Sequence, residues 1–204
     1  LIDGMEWIRI HYSYPDGFPD DVLELMAGNP KICKYIDIPL QHADDKVLKA
    51  MRRSIDNRGT MALIEKMRRT VPGLVLRTTL MVGHPGEGEE EFKHLLDFVR
   101  ECRFERMGAF KYSEEEDTWG AANLVDDVPE DVKQERYDRL MELQSGISNE
   151  FNLSRIGSSE KVLVDSFSDG VYVARSQKES PEVDGEILIG AGETVPEDIG
   201  GKFT

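Results

Sequence analysis

The segment Arg77-Thr78-Thr79-Leu80-Met81-Val82-Gly83-His84-Pro85-Gly86-Glu87 decides the fold of this chain. It begins as an apolar strand, passes through a glycine-proline-glycine turn and continues into the acidic start of a helix at Glu89. A strand that ends in glycines and leads into a helix brings backbone N–H groups close to any ligand bound at the carboxyl end of the strand. The segment therefore predicts a strand-turn-helix unit that faces a ligand.

Units of the same kind surround this segment. Apolar runs bounded by turn residues predict strands over 7–14, 35–41, 74–82 and 107–112. Helical spacing of apolar side chains predicts helices over 20–27, 44–53, 58–70, 89–102 and 129–153. This alternation predicts an α/β fold of parallel β/α units, and four strands are too few to close an eight-stranded barrel. We therefore expect an open, partial (β/α) barrel whose third strand, a nearly continuous apolar run, is covered on both faces.

All four predicted strands end in polar or turn-forming residues, at 13–15, 41–43, 83–86 and 112–113. In parallel β/α folds, ligands bind at the edge of the sheet where the carboxyl ends of the strands lie. The sequence thus predicts a ligand site formed by these four segments.

A different pattern begins after Gly157. Short apolar runs at 161–165, 171–175 and 186–189, separated by turns, predict a small all-β, barrel-like module. We expect residues 1–157 to form the barrel part, including the helix over 129–153, and residues 158–204 to form the β module. A further strand is expected at 200–204, so the module is predicted to be incomplete. The chain also begins with Leu1 rather than methionine, which indicates a piece of something longer.

Acidic residues dominate the 204-residue chain, which has a net charge of −15 and a pI of about 4.7. Phosphate binding needs clustered Lys and Arg, so a nucleic-acid partner is not expected. The β module alone holds ten acidic and four basic residues. A basic protein partner fits this charge, and an acidic surface that only keeps the protein soluble is the alternative. No apolar run approaches the roughly 18 residues that span a bilayer. We expect a cytoplasmic protein, a monomer, without membrane contact.

The chain contains two cysteines, Cys33 and Cys102. They lie far apart and neither belongs to a pair spaced for metal binding, so reduced structural thiols are expected. Zinc or an iron–sulfur cluster would need three or four such ligands. The sequence predicts no metal site, and any cluster would be held elsewhere.

Several motifs resemble those of the radical S-adenosylmethionine methylthiotransferases, and the match covers nearly the whole chain. The motifs are the segment 36–44, the Leu48-x-x-Met51-x-Arg53 that follows it, the segment 77–87, and Phe110-x-Tyr112-Ser113-x-Glu115. The β module resembles a TRAM domain, with 180–185 as its typical turn. The resemblance implies a partial radical-SAM-type, TIM-like barrel followed by a small OB-like TRAM barrel. Within the family, the chain is most similar to members that modify a ribosomal protein.

The resemblance implies the following chemistry. A four-iron four-sulfur cluster cleaves S-adenosylmethionine reductively, and the resulting radical abstracts hydrogen. A second such cluster supplies sulfur and a second S-adenosylmethionine supplies the methyl group. The implied substrate is the β-carbon of an aspartate in the basic small-subunit ribosomal protein twelve. The family's CxxxCxxC loop and sulfur-donor domain do not occur in this sequence, and Cys33 and Cys102 match neither ligand set. We expect the fragment alone to be inactive, and no catalytic residue is assigned.

The matched motifs and the strand ends together indicate a set of residues that contact S-adenosylmethionine: Gln41, Arg53, Arg77, Thr79, Gly83, Gly86 and Glu87. Gly83 and Gly86 allow close backbone approach, although a tight turn alone also favours glycine. Glu87 either binds a ligand hydroxyl or amine or stabilises the start of the following helix. Arg53 and Arg77 can each pair with the ligand carboxylate or form a surface salt bridge.

Two other functions stay open on the sequence alone. A methylthiotransferase that acts on tRNA would share these motifs, but it needs a positive face for RNA. A non-catalytic protein-binding module would use the strand ends only as structure.

Overall fold

The larger of two sheets in the protein has four parallel strands in the order β1-β2-β3-β4. A computed structural model describes residues 3–190. The strands are β1 Ile8–Ile10, β2 Ile32–Asp37, β3 Val75–Val82 and β4 Arg106–Lys111. The helices between them are α1 Asp20–Gly28, α2 Asp45–Ala50, α3 Asn57–Thr70 and α4 Glu89–Cys102. The expected open run of parallel β/α units is confirmed.

The helices begin and end where local chemistry dictates. Asp44 accepts hydrogen bonds from the backbone N–H groups of Lys46 and Val47, which caps α2. Glu91 accepts from the backbone N–H of Gly88 in the capping box of α4. The apolar stripes of these helices pack against one face of the sheet and form the main core. This core includes Leu23, Met26, Ile36, Ile64, Met67, Leu76, Leu80, Phe92, Leu95 and Val99.

The two faces of β3 are not equally covered, which corrects the expectation for this strand. Leu80 and Val82 point into the main core and are buried. Arg77, Thr79 and Met81 point to the opposite, inner face and are only half-buried. A closed barrel would fill its interior with side chains from strands on all sides. The four strands described here leave the inner face open toward the carboxyl ends of the strands.

The first two strands are shorter or displaced relative to their predictions over 7–14 and 35–41. Tyr12 has a φ of 61°, a left-handed conformation that interrupts an extended chain soon after β1. The second strand begins earlier, at Ile32, and ends at Asp37, before Pro39. Proline has no backbone N–H to donate to a ladder, so regular pairing stops there.

A short helix α5, Trp119–Asn123, follows β4, and a long helix α6, Glu130–Ser154, connects the sheet to the β module. Leu140 and Ile147 of α6 join the main core. Lys133, Arg136 and Gln144 are also buried on this helix. A helix face with these polar residues looks solvated in sequence, and their burial is a structural finding.

The β module contributes a second, antiparallel sheet of β5 Leu163–Ser168, β6 Val171–Arg175 and β7 Ile187–Gly190, in that order. The further strand expected at 200–204 lies outside the described residues. Two buried acids after β6 attach the module to the larger sheet. Glu179 pairs with Arg106 at 3.0 Å and with Arg155 at 2.5 Å. Asp184 accepts a hydrogen bond of 2.6 Å from the hydroxyl of Tyr35 on the inner face.

Among the described helices, none combines the length and the apolar character needed to cross a bilayer.

Candidate functional site

A cavity of about 330 Å³ opens at the carboxyl ends of β2, β3 and β4. Its lining includes Gln41, Met81, His84 and Tyr112, which lie at or just beyond the ends of these strands, and it extends under Trp119 of α5. We call this space the mouth cavity. It lies at the edge of the sheet where the sequence predicted a ligand site.

Gln41 of the predicted site lies in the mouth cavity, and its backbone explains why. The residue has a φ of 72°, and its N–H and C=O are bonded to Thr79 O at 3.0 Å and to Met81 N at 2.7 Å. These bonds pin a non-glycine residue in a left-handed conformation that is sparsely populated. Both backbone groups are bonded within the protein, and the residue lines the cavity.

Arg53 also lines the mouth cavity. Its guanidinium donates to Pro39 O at 2.6 Å and lies 4.9 Å from the ring centroid of Tyr14. The Nε of Arg53 is buried and has no hydrogen-bond partner within residues 3–190. Buried donors usually find partners, so this N–H is a candidate contact for a ligand. The neighbouring Arg52 stacks over Trp119 at 5.4 Å, so arginine-aromatic pairs rim the cavity.

The glycine turn does not offer the free amides that the sequence suggested. The N–H of Gly83 donates to Glu87 Oε1 at 3.0 Å, and the N–H of Gly86 donates to Asp127 Oδ1 at 2.8 Å. Both glycines have positive φ, 73° and 80°. Gly86 lines a separate cavity on the α6 side of the turn. The turn shapes the wall of the mouth cavity, while these two amides bind carboxylates of the chain itself.

Gly83 has a second reason to be glycine. A Cβ placed on it would lie 2.3 Å from Cγ of Lys133. The Nζ of Lys133 donates to Asp126 at 2.6 Å and to Tyr112 O at 3.3 Å. The stem of this buried lysine therefore packs directly on the turn, and its charge holds the ends of β4 and α6 together.

Glu87 neither caps α4 nor reaches the cavity. Its side chain has no exposed surface, and its Oε2 lies 3.1 Å from His42 Nε2. Its Oε1 accepts from Gly83 N and from the guanidinium of Arg136, the latter at 2.9 Å. Glu91 makes the capping contact instead. Glu87 positions the turn from inside the protein.

His42 is held in one tautomer by its two partners. The backbone N–H of Asp44 donates to Nδ1 at 3.0 Å, so Nδ1 carries no proton. The proton then lies on Nε2 and is donated to Glu87. We define His42, Glu87, Arg136 and the N–H of Gly83 as the upper network.

Arg77 and Thr79 lie lower on the inner face, below the mouth cavity. Arg77 donates to Asp37 at 3.0 Å and to the Thr79 hydroxyl at 3.2 Å, and its Nε lies 3.7 Å from Asp184. The Arg77 guanidinium therefore already has two carboxylates beside it. Of the predicted site residues, the structure brings Gln41 and Arg53 together at the cavity and places the other five around it.

His84, a residue that the motifs did not indicate as a ligand contact, lines the mouth cavity with only 5% of its surface exposed. Its ring packs edge-on against Tyr112, with centroids 5.2 Å apart. Burial lowers the pKa of His84 below its usual value, so the ring is neutral at neutral pH. Its position in the turn, directly after the last strand residues, was the available signal.

The two cysteines are buried and free. Burial raises the pKa of Cys33 and raises that of Cys102 to about 12, so both are unreactive thiols at neutral pH. Within residues 3–190, no three His, Cys, Asp or Glu side chains are grouped to hold a metal ion. These residues do not fit an iron–sulfur cluster.

Comparison with known proteins finds similarity to one family of enzymes. The sequence matches the Radical SAM superfamily over residues 2–99 and the TRAM domain over residues 156–204. These matches agree with the partial radical SAM barrel and the TRAM domain that the motifs predicted. Two relatives named ribosomal protein uS12 methylthiotransferase RimO, from Parabacteroides distasonis and Bacteroides thetaiotaomicron, are 54% and 52% identical to it over 188 residues. The resemblance to methylthiotransferases with a TRAM domain is confirmed.

The chain spans less than half the length of these relatives. The alignments cover 92% of this chain, but only 44% and 43% of the two relatives. The solved structure of coproporphyrinogen III oxidase HemN from Escherichia coli has a similar fold, with a TM-score of 0.54 and 22% identity. That likeness covers 67% of this chain and 32% of the oxidase, and it supports the partial radical SAM barrel as the fold. Similarity to the Radical SAM superfamily implies S-adenosylmethionine and a four-iron four-sulfur cluster.

Proposed function

We propose that this chain is part of a methylthiotransferase that transfers a methylthio group to the β-carbon of an aspartate in ribosomal protein uS12. The observation that carries the proposal is the identity of more than half of the residues with relatives that bear this activity in their name. The residues 158–204 are taken as the TRAM domain, and 1–157 as the later part of the radical SAM barrel.

The mouth cavity is proposed to hold part of S-adenosylmethionine. It combines an amide at Gln41, the Nε of Arg53, which has no partner among residues 3–190, and apolar surface from Met81 and Trp119. This lining suits a ligand with both polar and apolar parts. Thr79, lower on the same face, extends this polar wall. When bound, the cofactor supplies the radical and the methyl group, and the residues of this chain bind and orient it.

The remaining predicted residues are proposed to act on the shape of the site. Gly83 and Gly86 give the wall its turn, and Glu87 holds that turn through Arg136. Arg77 lies between Asp37 and Asp184, where it supports the inner face. The iron–sulfur clusters, two in the proposed enzyme, are assigned to a region outside residues 3–190.

The charge of the chain favours a protein substrate over tRNA. A net charge of −15, with ten acidic and four basic residues in 158–204, repels phosphate and suits a basic ribosomal protein. Recognition of uS12 and a monomeric, cytoplasmic state are parts of the proposal.

The test uses a longer protein, in which this sequence is joined to the region that the relatives have in addition to it. Reconstituted with iron, sulfide, reductant and S-adenosylmethionine, it should add a methylthio group to uS12, detected by mass spectrometry of the modified peptide. The 204-residue chain alone should form no product. Modification of tRNA and not of uS12 would favour the tRNA alternative, and activity on neither would favour a binding module.

A further inference from the structure

The structure leaves one ring nitrogen of a buried histidine beside the mouth cavity without a role. His84 follows Gly83 at the end of β3 and lines the cavity. Its Nδ1 lies 3.0 Å from the backbone carbonyl oxygen of Pro85. Its Nε2 has no hydrogen-bond partner in the described part of the chain.

The bond to Pro85 fixes where the proton of His84 lies. A carbonyl oxygen can only accept, so Nδ1 carries the hydrogen and donates it. In the neutral ring, Nε2 then presents a lone pair. The environment favours this neutral form, since the ring is nearly completely buried.

The ring of His84 is also held in place. It packs edge-on against the ring of Tyr112. The Nζ of Lys133 lies 5.3 Å from the centroid of the same tyrosine ring. The preceding residue, Gly83, is fixed by its bond to Glu87 and by contact with Lys133. A preorganised acceptor of this kind selects a ligand group without paying to order a mobile side chain.

We propose that Nε2 of His84 accepts a hydrogen bond from an N–H or O–H donor on the adenosyl group of S-adenosylmethionine. This assignment rests on the proposed function, which puts that cofactor in the mouth cavity. A lone pair cannot receive a carboxylate, and the donors that the adenosyl group offers are the adenine amine and the ribose hydroxyls. His84 therefore reads the nucleoside part of the ligand and acts as a binding residue.

The experiment measures binding by calorimetry on the longer protein that tests the proposed function, with S-adenosylhomocysteine as the stable probe. The protein is compared with His84→Phe, which keeps a planar ring and loses the acceptor, and with His84→Gln, which restores an acceptor oxygen. We expect about tenfold weaker binding for His84→Phe and a smaller loss for His84→Gln. The matched control is His94→Gln, an exposed histidine of α4 that pairs with Asp44 away from the cavity, and it should bind as the unsubstituted protein does.

Two probe analogues identify the donor, one lacking the adenine amine and one lacking the ribose hydroxyls. The unsubstituted protein should bind more weakly to the analogue that lacks the donor to His84. The His84→Phe variant should bind that analogue and the intact probe with equal affinity. The assignment is wrong if His84→Phe binds the probe as tightly as the unsubstituted protein does. It is also wrong if His84→Phe discriminates between the probe and each analogue as strongly as the unsubstituted protein does.

A nitrogen-15 NMR spectrum of the unsubstituted protein tests the assignment without any substitution, so its result does not depend on whether a variant folds. The Nε2 resonance of His84 should have the shift of an unprotonated nitrogen and should move when the probe binds. An unmoved resonance in the presence of bound probe overturns the assignment and leaves the proposed function standing. No binding of the probe by the unsubstituted protein overturns both.

Discussion

The two ends of α6 hold two buried charge networks that differ in what they connect. At its start, the upper network is closed: Glu87 has no exposed surface and Arg136 is 7% exposed at the side chain. At its end, Arg106, Arg155, Glu160 and Glu179 form what we call the lower network, in which Arg155 and Glu160 remain 16% and 18% exposed. The upper network shapes a turn within one sheet, and the lower one fastens the β module to that sheet.

The difference teaches which charges are replaceable. A single carboxylate in the upper network serves His42, Gly83 and Arg136, so no second acid can compensate for its loss. In the lower network, Arg155 binds both Glu160 and Glu179, so one contact survives the loss of the other. Removing the partner of a buried charge destabilises a protein more than removing the partner of an exposed charge does.

The largest effect should come from Glu87→Gln. Arg136 would then be a buried guanidinium without a counter-charge, and we expect the free energy of unfolding to fall by about 3–5 kcal/mol. Urea unfolding measures this change. The control is Glu89→Gln, whose carboxylate is 67% exposed and pairs with Arg139, and which should cost no more than about 1 kcal/mol. Equal losses in the two variants would show that the upper network stabilises the protein no more than an exposed ion pair does.

Glu179→Gln should have the next largest effect, and it should be local. We expect a loss of about 2–3 kcal/mol in the attachment of the β module, because charge-assisted hydrogen bonds to Arg106 and Arg155 are removed. Hydrogen exchange should accelerate in β5, β6 and β7 and stay slow in β3. Exposed Glu182→Gln is the control. Uniform acceleration through both sheets would show that the lower network does not act as a local fastener.

Acid should release the lower network. Arg155 and Lys178 hold the pKa of Glu160 at about 2, below its usual 4.5, and bonds from Ser176 and Arg155 lower that of Glu179 against the opposing effect of burial. Because the folded pKa is depressed, the stabilisation is fully present above pH 4.5 and is lost as the pH falls toward 2. Limited proteolysis across this window should cut the β module first in the unsubstituted protein. In Glu160→Gln the pH dependence should be weaker, and an unchanged profile would contradict the assignment.

The smallest effect should come from Tyr35→Phe, which tests how much the inner face of the larger sheet contributes to the attachment of the β module. The hydroxyl donates to Asp184, and burial together with that bond raises the pKa of Tyr35, so it stays protonated. Its removal leaves Asp184 bonded to Ser180 N, and we expect a loss of about 1 kcal/mol in urea unfolding. Tyr12→Phe, at a tyrosine that is 83% exposed, should be neutral. A loss above about 3 kcal/mol would mean that Tyr35 is central to the attachment of the β module.

Apolar periodicity predicted the alternation of strands and helices, the class of fold and the full span of α4, because these depend on local patterns. It failed where the decisive contact is distant in sequence. The charges of Lys133 and Arg136 normally indicate a solvated helix face, and only the folded chain brings them onto Gly83 and Glu87. The prediction that ligands bind at the carboxyl ends of the strands agrees with the position of the mouth cavity. The occupation of the turn amides by Glu87 and Asp127 could not be predicted from spacing.

The length of α6 sets a constraint on how this protein can change. The helix has 25 residues, about 37 Å of rise, with the upper network near its start and Phe151 packed beneath the inner face near its end. One residue inserted between Gln144 and Phe151 would turn the far end by about 100° and advance it about 1.5 Å, so one of the two networks would lose its angular phase. Insertions here are tolerable only in nearly whole turns.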